Sequence, residues 1–239
     1  ESGILPVRGG RNGAADDEHD GIDEPSDRDG ITRTVPGGSA VFLQQIKEWG
    51  ENGFATTAAD AVCDVTLVSR AAFLAASGNG SSSQPHLTWV ANSGFSAPGR
   101  VGTLFIVFQS DATNLINGDN NGATDIFRTA VDLTSDAEGN LRLVVNGNAT
   151  LVSAINGDTE VGNGASTMAA VGGTNGEIVA FQSIATDLVA GFGDTNGPNA
   201  SDVYARNIAT NSTVLISHEV ANVANGGSAE STNPVVDAR

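Results

Sequence analysis

Two loops carry oxygen side chains at a spacing that is typical of sites for hard cations. Each has two such side chains two residues apart beside a glycine, then a further carboxylate: Asp119, Asn121 and Asp125 in one loop, and Asp194, Asn196 and Asp202 in the other. Ca²⁺ takes about six to eight oxygen ligands, which alternate side chains of a tight loop bring together. Asp and Asn also hydrogen-bond their own backbone in turns. The spacing therefore predicts either calcium sites that stabilise the loops or turn chemistry alone.

A weaker candidate for calcium lies in an acidic stretch near the N-terminus. Its side chains follow the EF-hand loop pattern only if Glu is accepted at the third position and Asp at the twelfth: Asp16, Glu18, Asp20 and Asp27. The stretch loosely resembles the Asp-rich loops of dockerin or thrombospondin-type calcium repeats. A solvated acidic tail is the alternative interpretation, because runs of like charge are commonly found in such tails.

No catalytic motif is present in the sequence. There is no Gly-x-Ser-x-Gly nucleophile turn, no His-Glu-x-x-His zinc motif and no phosphate-binding loop. The three histidines, His19, His86 and His218, lie in unlike contexts, and Cys63 is the only cysteine. A single cysteine excludes an intrachain disulfide and a paired-cysteine metal site. We therefore expect a protein that is not an enzyme and whose only cofactor, if it has one, is Ca²⁺.

The charge of the chain restricts its partners. Among 239 residues, 28 are Asp or Glu and 11 are Lys or Arg, which gives a formal net charge of −17. Lys and Arg supply most of the affinity for nucleic acid and for anionic membranes, and Lys47 is the only lysine. The longest strongly apolar run, 104–108, is far shorter than the roughly 20 residues of a membrane-spanning helix. We expect protein partners, no nucleic acid and no transmembrane segment of its own.

The elements that must position the two loops belong to an internal repeat. The motif Leu67-Val68-Ser69 recurs as Leu151-Val152-Ser153 and as Leu215-Ile216-Ser217, at separations of 84 and 64 residues. A turn rich in Gly, Asn and Ser follows each copy. Between the copies, "IVFQSDATNLINGDNNGATDIF" matches "IVAFQSIATDLVAGFGDTNGPNASDVY" in the same order. Matching segments in a fixed order at such a period indicate repeated structural units.

Each repeat contains short runs rich in Val, Ile, Leu and Phe that are bounded by turn residues, a pattern that predicts β-strands. One copy has four such runs, at 168–171, 177–183, 202–208 and 213–217. Four antiparallel strands in units that stack face to face predict an all-β fold made of propeller blades. The predicted units are a degenerate one at 39–80, two at 81–153 and 154–217, and the start of another at 218–239. The longer copy has insertions near 92–102 and 134–148.

These motifs resemble the TolB-like β-propeller repeats of secreted and periplasmic bacterial proteins, over roughly residues 65–234. The resemblance implies a β-propeller or partial propeller and a location outside the cytoplasm, although no signal peptide opens the chain. It implies little about activity, because propellers serve binding, scaffolding and catalysis alike. The loop at 197–201 and the excursion after Asp132 depart from the usual compact blade.

The N-terminal part differs from the repeats. Residues 8–34 hold almost no apolar side chain, and we predict that residues 1–38 form an irregular acidic extension. For 39–50 two interpretations stay open. Phe42, Ile46 and Trp49 have helical spacing, whereas Ala40 to Leu43 reads as a strand. If it is a strand equivalent to Ile-Val-Ala-Phe-Gln-Ser, a degenerate first blade exists.

The number of units is small for a propeller. The chain holds about three to three and a half of them, whereas closed propellers have about four to eight blades. Three explanations stay open: the chain is a fragment, an N-terminal strand completes the last blade, or the sheets remain open and a partner covers them.

Three functions follow as hypotheses. The first is a non-catalytic, exported protein-binding or structural module, stabilised by calcium in its Asp/Asn loops. The second is an accessory scaffold subunit of a larger extracellular or membrane-associated assembly, with the extended tail and the insertions as contacts, because exposed loops on rigid scaffolds carry specificity. The third is the propeller part of a hydrolase whose catalytic domain lies elsewhere.

Overall fold

In a computed structural model of the chain, every described element is a β-strand. The structure describes residues 32–35, 38–46, 63–72, 76–94, 98–139 and 141–237. Its strands are β1 (Thr32–Val35), β2 (Gly38–Ile46), β3 (Cys63–Leu67), β4 (Ser82–Ala91), β5 (Gly99–Ser110), β6 (Asp125–Ser135), β7 (Leu141–Leu151), β8 (Ser166–Gly172), β9 (Ile178–Ser183), β10 (Asp202–Asn207) and β11 (Ser212–Leu215). The predicted all-β class is confirmed for these ranges. They contain no helix of the length and apolarity that a membrane crossing requires.

The strands form three antiparallel sheets in which each strand pairs with its neighbour in sequence. The first sheet has the order β1-β2-β3, the second β4-β5-β6-β7, and the third β8-β9-β10-β11. All pairings are antiparallel. Short runs of β-branched and aromatic residues separated by turns favour this meander, because each strand returns beside the previous one.

The sheets pack face to face around two hydrophobic cores. Ile106 and Phe108 of β5 point into the core that also contains residues of the first sheet. Val107 of β5 and Ile126 of β6 point into the core shared with the third sheet. Because successive side chains of a strand face opposite sides, the apolar run at 104–108 serves both cores. The second sheet is therefore buried on both faces.

The helix considered for residues 39–50 is wrong over 39–46, where the structure has β2. Pairing with β1 on one side and β3 on the other outweighs the helical spacing of single apolar residues. The proposed equivalence of this strand to Ile-Val-Ala-Phe-Gln-Ser is also wrong. Phe42 faces Leu67 just as Phe127 faces Leu151, so β2 is the counterpart of β6, the third strand of its sheet.

The two insertions have different structures. The first lies at the β4–β5 hairpin, where Ala91 pairs with Gly102 and the N–H of Asn92 donates to the carbonyl of Val101 at 2.8 Å. The second is not a loop for most of its length, since β6 and β7 pair out to Ser135 and Leu141. β6 therefore has 11 residues, whereas the equivalent strand β10 has six.

A buried arginine holds the turn that follows β7 against the third sheet. Arg206 of β10 is 1% exposed. Its Nη1 donates to the carbonyls of Ala154 and Ile155, and its Nη2 donates to the carbonyl of Asp158. Nη1 also donates to Thr213 Oγ1 at 2.8 Å. The guanidinium thus supplies donors to three backbone carbonyls of this turn, and that of Ala154 also accepts a hydrogen bond from Thr213 Oγ1 at 2.9 Å.

Candidate functional site

The two aspartates that end the candidate calcium loops are the first residues of β6 and β10. Asp125 and Asp202 are both buried. Asp125 Oδ1 accepts a hydrogen bond from Ser153 Oγ at 2.6 Å, and Asp202 Oδ1 accepts one from Ser217 Oγ at 2.7 Å. Each serine ends one of the recurring Leu-Val/Ile-Ser motifs. Each carboxylate therefore links the third strand of its sheet to the residues that follow the fourth strand.

The serine contact exists in the first sheet too, where the position of Asp125 and Asp202 is not an aspartate. Ser69 Oγ accepts the N–H of Val41 at 3.0 Å, as Ser153 Oγ accepts that of Ile126 at 3.0 Å. Ala40 occupies the position of the aspartate and is buried. The contact between the strands thus forms without a carboxylate, so the two aspartates have a role beyond joining them.

In the second sheet, an asparagine amide bridges the carboxylate to the next connection. Asn121 Nδ2 donates to Asp125 Oδ2 at 2.9 Å and to the carbonyl of Gly162 at 2.8 Å. Asn121 Oδ1 accepts the N–H of Ala123 at 2.9 Å. Amide hydrogens, and not the amide oxygen, face the carboxylate. We call Asp125, Asn121, Ser153 and Gly162 the Asp125 clasp.

The third sheet has a looser copy of this arrangement. Asn196 Nδ2 donates to Asp202 Oδ2 at 3.5 Å and to the carbonyl of Ala229 at 3.3 Å. The residue two positions after Asn196 is Pro198, which has no N–H to offer. Asn196 Oδ1 is accordingly buried without a hydrogen-bond partner. We call Asp202, Asn196, Ser217 and Ala229 the Asp202 clasp.

The first aspartates of the two loops differ from each other. Asp194 is exposed, and its Oδ1 accepts the N–H groups of Asn196 at 3.2 Å and Gly197 at 2.8 Å, which is turn chemistry. Asp119 is buried, 8% exposed, and its Oδ1 has no hydrogen-bond partner. A buried carboxylate oxygen without a partner is costly, so Asp119 is the carboxylate of the two loops that is most open to a ligand.

Burial raises the pKa of the clustered carboxylates. It raises the pKa of Asp125 to about 6, against the opposing hydrogen bonds from Ser153 and Asn121, and the nearby charge of Asp119 raises it further. Burial also raises the pKa of Asp119. The pKa of Asp202 is raised by burial, while Ser217 and Asn196 oppose the shift. Two buried carboxylates that destabilise each other's charge favour a bound proton or cation.

The structure brings together the residues of each of the two predicted loops. Asp16, Glu18, Asp20 and Asp27 lie outside the described residues, as does His19. Among the ranges that are described, no group of three or more His, Cys, Asp or Glu side chains is arranged to hold a metal ion. A cation at Asp119 would therefore need backbone carbonyls, amide oxygens or water as further ligands.

The serines of the clasps, and a second set of hydrogen bonds between the sheets, were not among the residues predicted from the sequence. Ser153 and Ser217 recur in the repeat motif, which is the signal that would have found them. Asn79 and Asn163 follow the motif in a Gly-Asn-Gly turn, and each bonds reciprocally to a threonine of the following sheet's connection: Asn79 with Thr113, and Asn163 with Thr186. Recurrence at equivalent positions marks these side chains as links between neighbouring sheets.

Comparison with known proteins gives no relative for this chain, since no family model, no curated protein and no solved structure matches it.

Proposed function

We propose that the chain is a non-catalytic protein-binding or structural module of the β-propeller type that works outside the cytoplasm. The observation that carries this proposal is the recurrence of one junction between successive sheets. The turn after the fourth strand returns to the motif serine each time: Gly78 N–H to Ser69 O at 3.2 Å, Gly162 N–H to Ser153 O at 3.2 Å, and Gly227 N–H to Ser217 O at 2.8 Å. Repeated antiparallel sheets that bury one another's faces are typical of propeller blades. The proposal includes the resemblance to TolB-like repeats, from which the extracytoplasmic location derives.

A surface on the extended β4–β5 hairpin supports a binding role. Trp89 and Leu87 of β4 are 41% and 45% exposed. Arg100, Asn92 and Phe105 line a separate groove together with Asn175, which lies between β8 and β9, and neither Trp89 nor Leu87 borders this groove. Trp and Arg are the side chains that most often dominate the energy of protein interfaces. This surface also favours the second candidate function, an accessory scaffold subunit docked on a larger extracellular or membrane protein assembly.

We also propose that Ca²⁺ binds the loop of the second sheet that contains Asp119, Asn121 and Asp125. The residues fit a hard cation in one respect: Asp119 offers a buried oxygen that has no partner, next to the carboxylate of Asp125. Asp125 and the carbonyl of Gly162 would join it if Asn121 turned its amide oxygen inward. Ca²⁺ would supply the positive charge that this acidic chain lacks there, and so stabilise the loop. The looser loop of the third sheet fits less well, because turn hydrogen bonds already occupy Asp194 Oδ1.

The binding role is tested by comparing Trp89→Ala with Val144→Ala as probes in affinity capture from extracytoplasmic extracts. Val144 is similarly exposed, at 48%, and lies on β7 away from the hairpin tip. We expect the wild type and Val144→Ala to retain the same partner and Trp89→Ala to lose it. Failure of the wild type to retain any partner, or equal retention by all three proteins, would contradict the proposal.

The calcium part is tested by thermal melts with Ca²⁺, with Mg²⁺ and with chelator. A ligand at 100 times its dissociation constant stabilises the folded state by about 2.7 kcal/mol. We expect Ca²⁺ alone to raise the melting temperature by several degrees, and Asp119→Asn to lose that response while Asp194→Asn keeps it. An unchanged melt in Ca²⁺ would leave the loops with turn chemistry only.

A further inference from the structure

The second sheet projects beyond the third sheet at the end that carries the two insertions. Phe108 of β5 and Phe181 of β9 begin the same Phe-Gln-Ser motif, so β9 begins at Ile178, the counterpart of Phe105. β5 already begins at Gly99, and β6 pairs with it along its whole length. Within the described residues, the part of β5 that precedes Phe105 has no counterpart in the third sheet. The two sheets are therefore stepped relative to each other.

A groove lies at this step, on the face of the second sheet that points toward the third. Phe105 belongs to that face, because it packs with Val107 against the core shared with the third sheet. The groove has a volume of about 240 Å³. Its lining comes from the β4–β5 hairpin, from Thr103 and Phe105 of β5, and from Asn175 in the turn between β8 and β9. The extension of the second sheet therefore creates the groove.

Asn175 is held in place through its backbone, which leaves its side-chain amide for a ligand. Its N–H donates to Glu177 Oε2 at 2.6 Å, and its carbonyl accepts a hydrogen bond from Arg128 Nη2 at 3.5 Å. The next residue, Gly176, has φ +60°, and a side chain there would collide with the ring of Phe105. The turn thus rests on that ring through a glycine. Within the described ranges, the amide of Asn175 makes no side-chain hydrogen bond.

The positive charge at the groove is already compensated. Arg100 lines the groove, its side chain is 53% exposed, and its Nη1 lies 3.6 Å from Asp132 Oδ1. The Asp132 carboxylate also accepts hydrogen bonds from Thr103 Oγ1 at 2.5 Å and from Asn146 Nδ2 at 3.2 Å. Arg100 therefore has an anionic partner and keeps further N–H donors for a ligand. A free anion would compete with Asp132 and approach a chain of formal charge −17, which disfavours anionic ligands.

The lining matches a neutral ligand that carries hydroxyl groups on a compact ring. The guanidinium of Arg100 only donates hydrogen bonds, whereas the amide of Asn175 both donates and accepts, and hydroxyl groups of a ligand do both. Phe105 and Val90 supply apolar surface for C–H groups. A few polar groups within an apolar lining are typical of small-molecule sites. The volume is below the range of about 300–1,000 Å³ for drug-sized ligands, and it fits one pyranose ring.

We propose that this groove binds one ring of a neutral saccharide. The amide of Asn175 hydrogen-bonds adjacent hydroxyl groups of the ring, and Arg100 donates to a further oxygen. The C–H groups of the ring lie against Phe105 and Val90. A ligand of this size binds weakly, with a dissociation constant on the order of 1 mM for a single ring. The inference goes beyond the proposed function, which concerns a protein partner.

The test is the binding of methyl glycosides to the full chain, detected by saturation-transfer NMR and measured by titration calorimetry. The probes are the methyl glycosides of glucose, galactose and mannose. Glucuronate and acetate serve as anionic controls, and glycerol serves as a polyol without a ring. We expect at least one of the neutral glycosides to bind, and we expect it to bind more tightly than glucuronate, acetate or glycerol.

Two pairs of variants locate the site. Asn175→Ala should weaken glycoside binding about fivefold or more, because hydrogen bonds to the ligand are lost, whereas Thr174→Ala, at the exposed neighbouring residue, should leave it unchanged. Arg100→Ala should also weaken binding about fivefold, whereas Arg142→Ala, at an exposed arginine of β7 outside the groove, should not. Thermal melts of the four variants should match that of the wild type, because all four substitutions are at exposed or half-exposed side chains.

Absence of binding by all three glycosides at concentrations up to about 50 mM would overturn the proposal. Equal affinities of the wild type and Asn175→Ala would overturn it as well, and so would tighter binding of acetate or glucuronate, which would make the groove an anion site. The proposed function fails separately. A chain that retains a protein partner through Trp89 and binds no glycoside loses only the saccharide site, and a chain that binds a glycoside without retaining a protein partner loses only the protein-binding role.

Discussion

The second and third sheets carry the same clasp in two environments. Asp125 lies in a sheet that is covered on both faces, and its bond from Asn121 is 2.9 Å long. Asp202 lies in a sheet whose Ile216 is 53% exposed, and its bond from Asn196 is 3.5 Å long. The sequence motif is shared, but the clasp is tighter where neighbouring sheets enclose it. Its strength is therefore set by the packing of the sheets as well as by the motif.

The two sheets also differ in what holds the preceding turn. Thr129 Oγ1 makes one bond, at 3.4 Å, to the carbonyl of Val68. At the equivalent position of the third sheet, Arg206 donates to three carbonyls and two side chains. The third sheet thus holds the preceding turn with several hydrogen bonds from one buried side chain, and the second sheet holds its preceding turn with one.

The largest expected effect follows from that difference. Arg206→Ala should lower the free energy of unfolding by about 3 kcal/mol, because it removes the hydrogen bonds of a buried guanidinium to three carbonyls and two side chains. Thr129→Ala should cost about 1 kcal/mol, the value of one ordinary hydrogen bond. Urea unfolding of both variants checks the comparison, with exposed Arg142→Ala as a control for the lost charge. A cost for Arg206→Ala no larger than that for Thr129→Ala would show that the guanidinium contacts contribute little.

The next effect separates the two clasps. Asp125→Ala should cost about 2 kcal/mol because the buried Ser153 hydroxyl and Asn121 amide lose their acceptor. Asp202→Ala should cost about 1 kcal/mol or less, since its bond from Asn196 is longer. Chemical denaturation at neutral pH measures both. If the order were reversed, enclosure by neighbouring sheets would not be what strengthens the clasp.

A third effect concerns pH. Burial raises the pKa of Asp125 to about 6, above its value in the unfolded chain, so the folded state binds a proton more tightly. Stability from this group is therefore lowest above pH 6 and rises as the pH falls toward 4. The gain between pH 7 and pH 5 is about 1 kcal/mol. Unfolding measured across this range should show the gain in the wild type and a smaller one in Asp125→Ala. If stability changed with pH equally in the two proteins, a group other than Asp125 would be responsible for the change.

The sequence predicted the strands better than the clasps. Short apolar runs between turn residues were sufficient to identify four strands in the third sheet, because period and turn chemistry are local. For 39–46, helical spacing and a strand pattern coexist, and only pairing with β1 and β3 decides between them. The spacing of Asn121 and Asp125 predicted their proximity. It did not predict that the amide of Asn121 faces the carboxylate, because that depends on the carbonyl of Gly162, 41 residues further along the chain.

The smallest effect is expected from substitutions two residues after each asparagine, where Asn121 is followed by Ala123 and Asn196 by Pro198. Ala123→Pro removes the N–H that Asn121 Oδ1 accepts, as Pro198 does beside Asn196. The lost bond outweighs the reduced entropy of the unfolded chain only slightly, so we expect a net cost of about 0.5 kcal/mol. In Pro198→Ala the same two contributions oppose each other, and we expect a change of less than about 0.5 kcal/mol. Paired melts of the two variants, read against the wild type, measure the difference. Stabilisation by Ala123→Pro would mean that the Asn121 oxygen finds another donor, which would remove the physical distinction between the clasps at this residue.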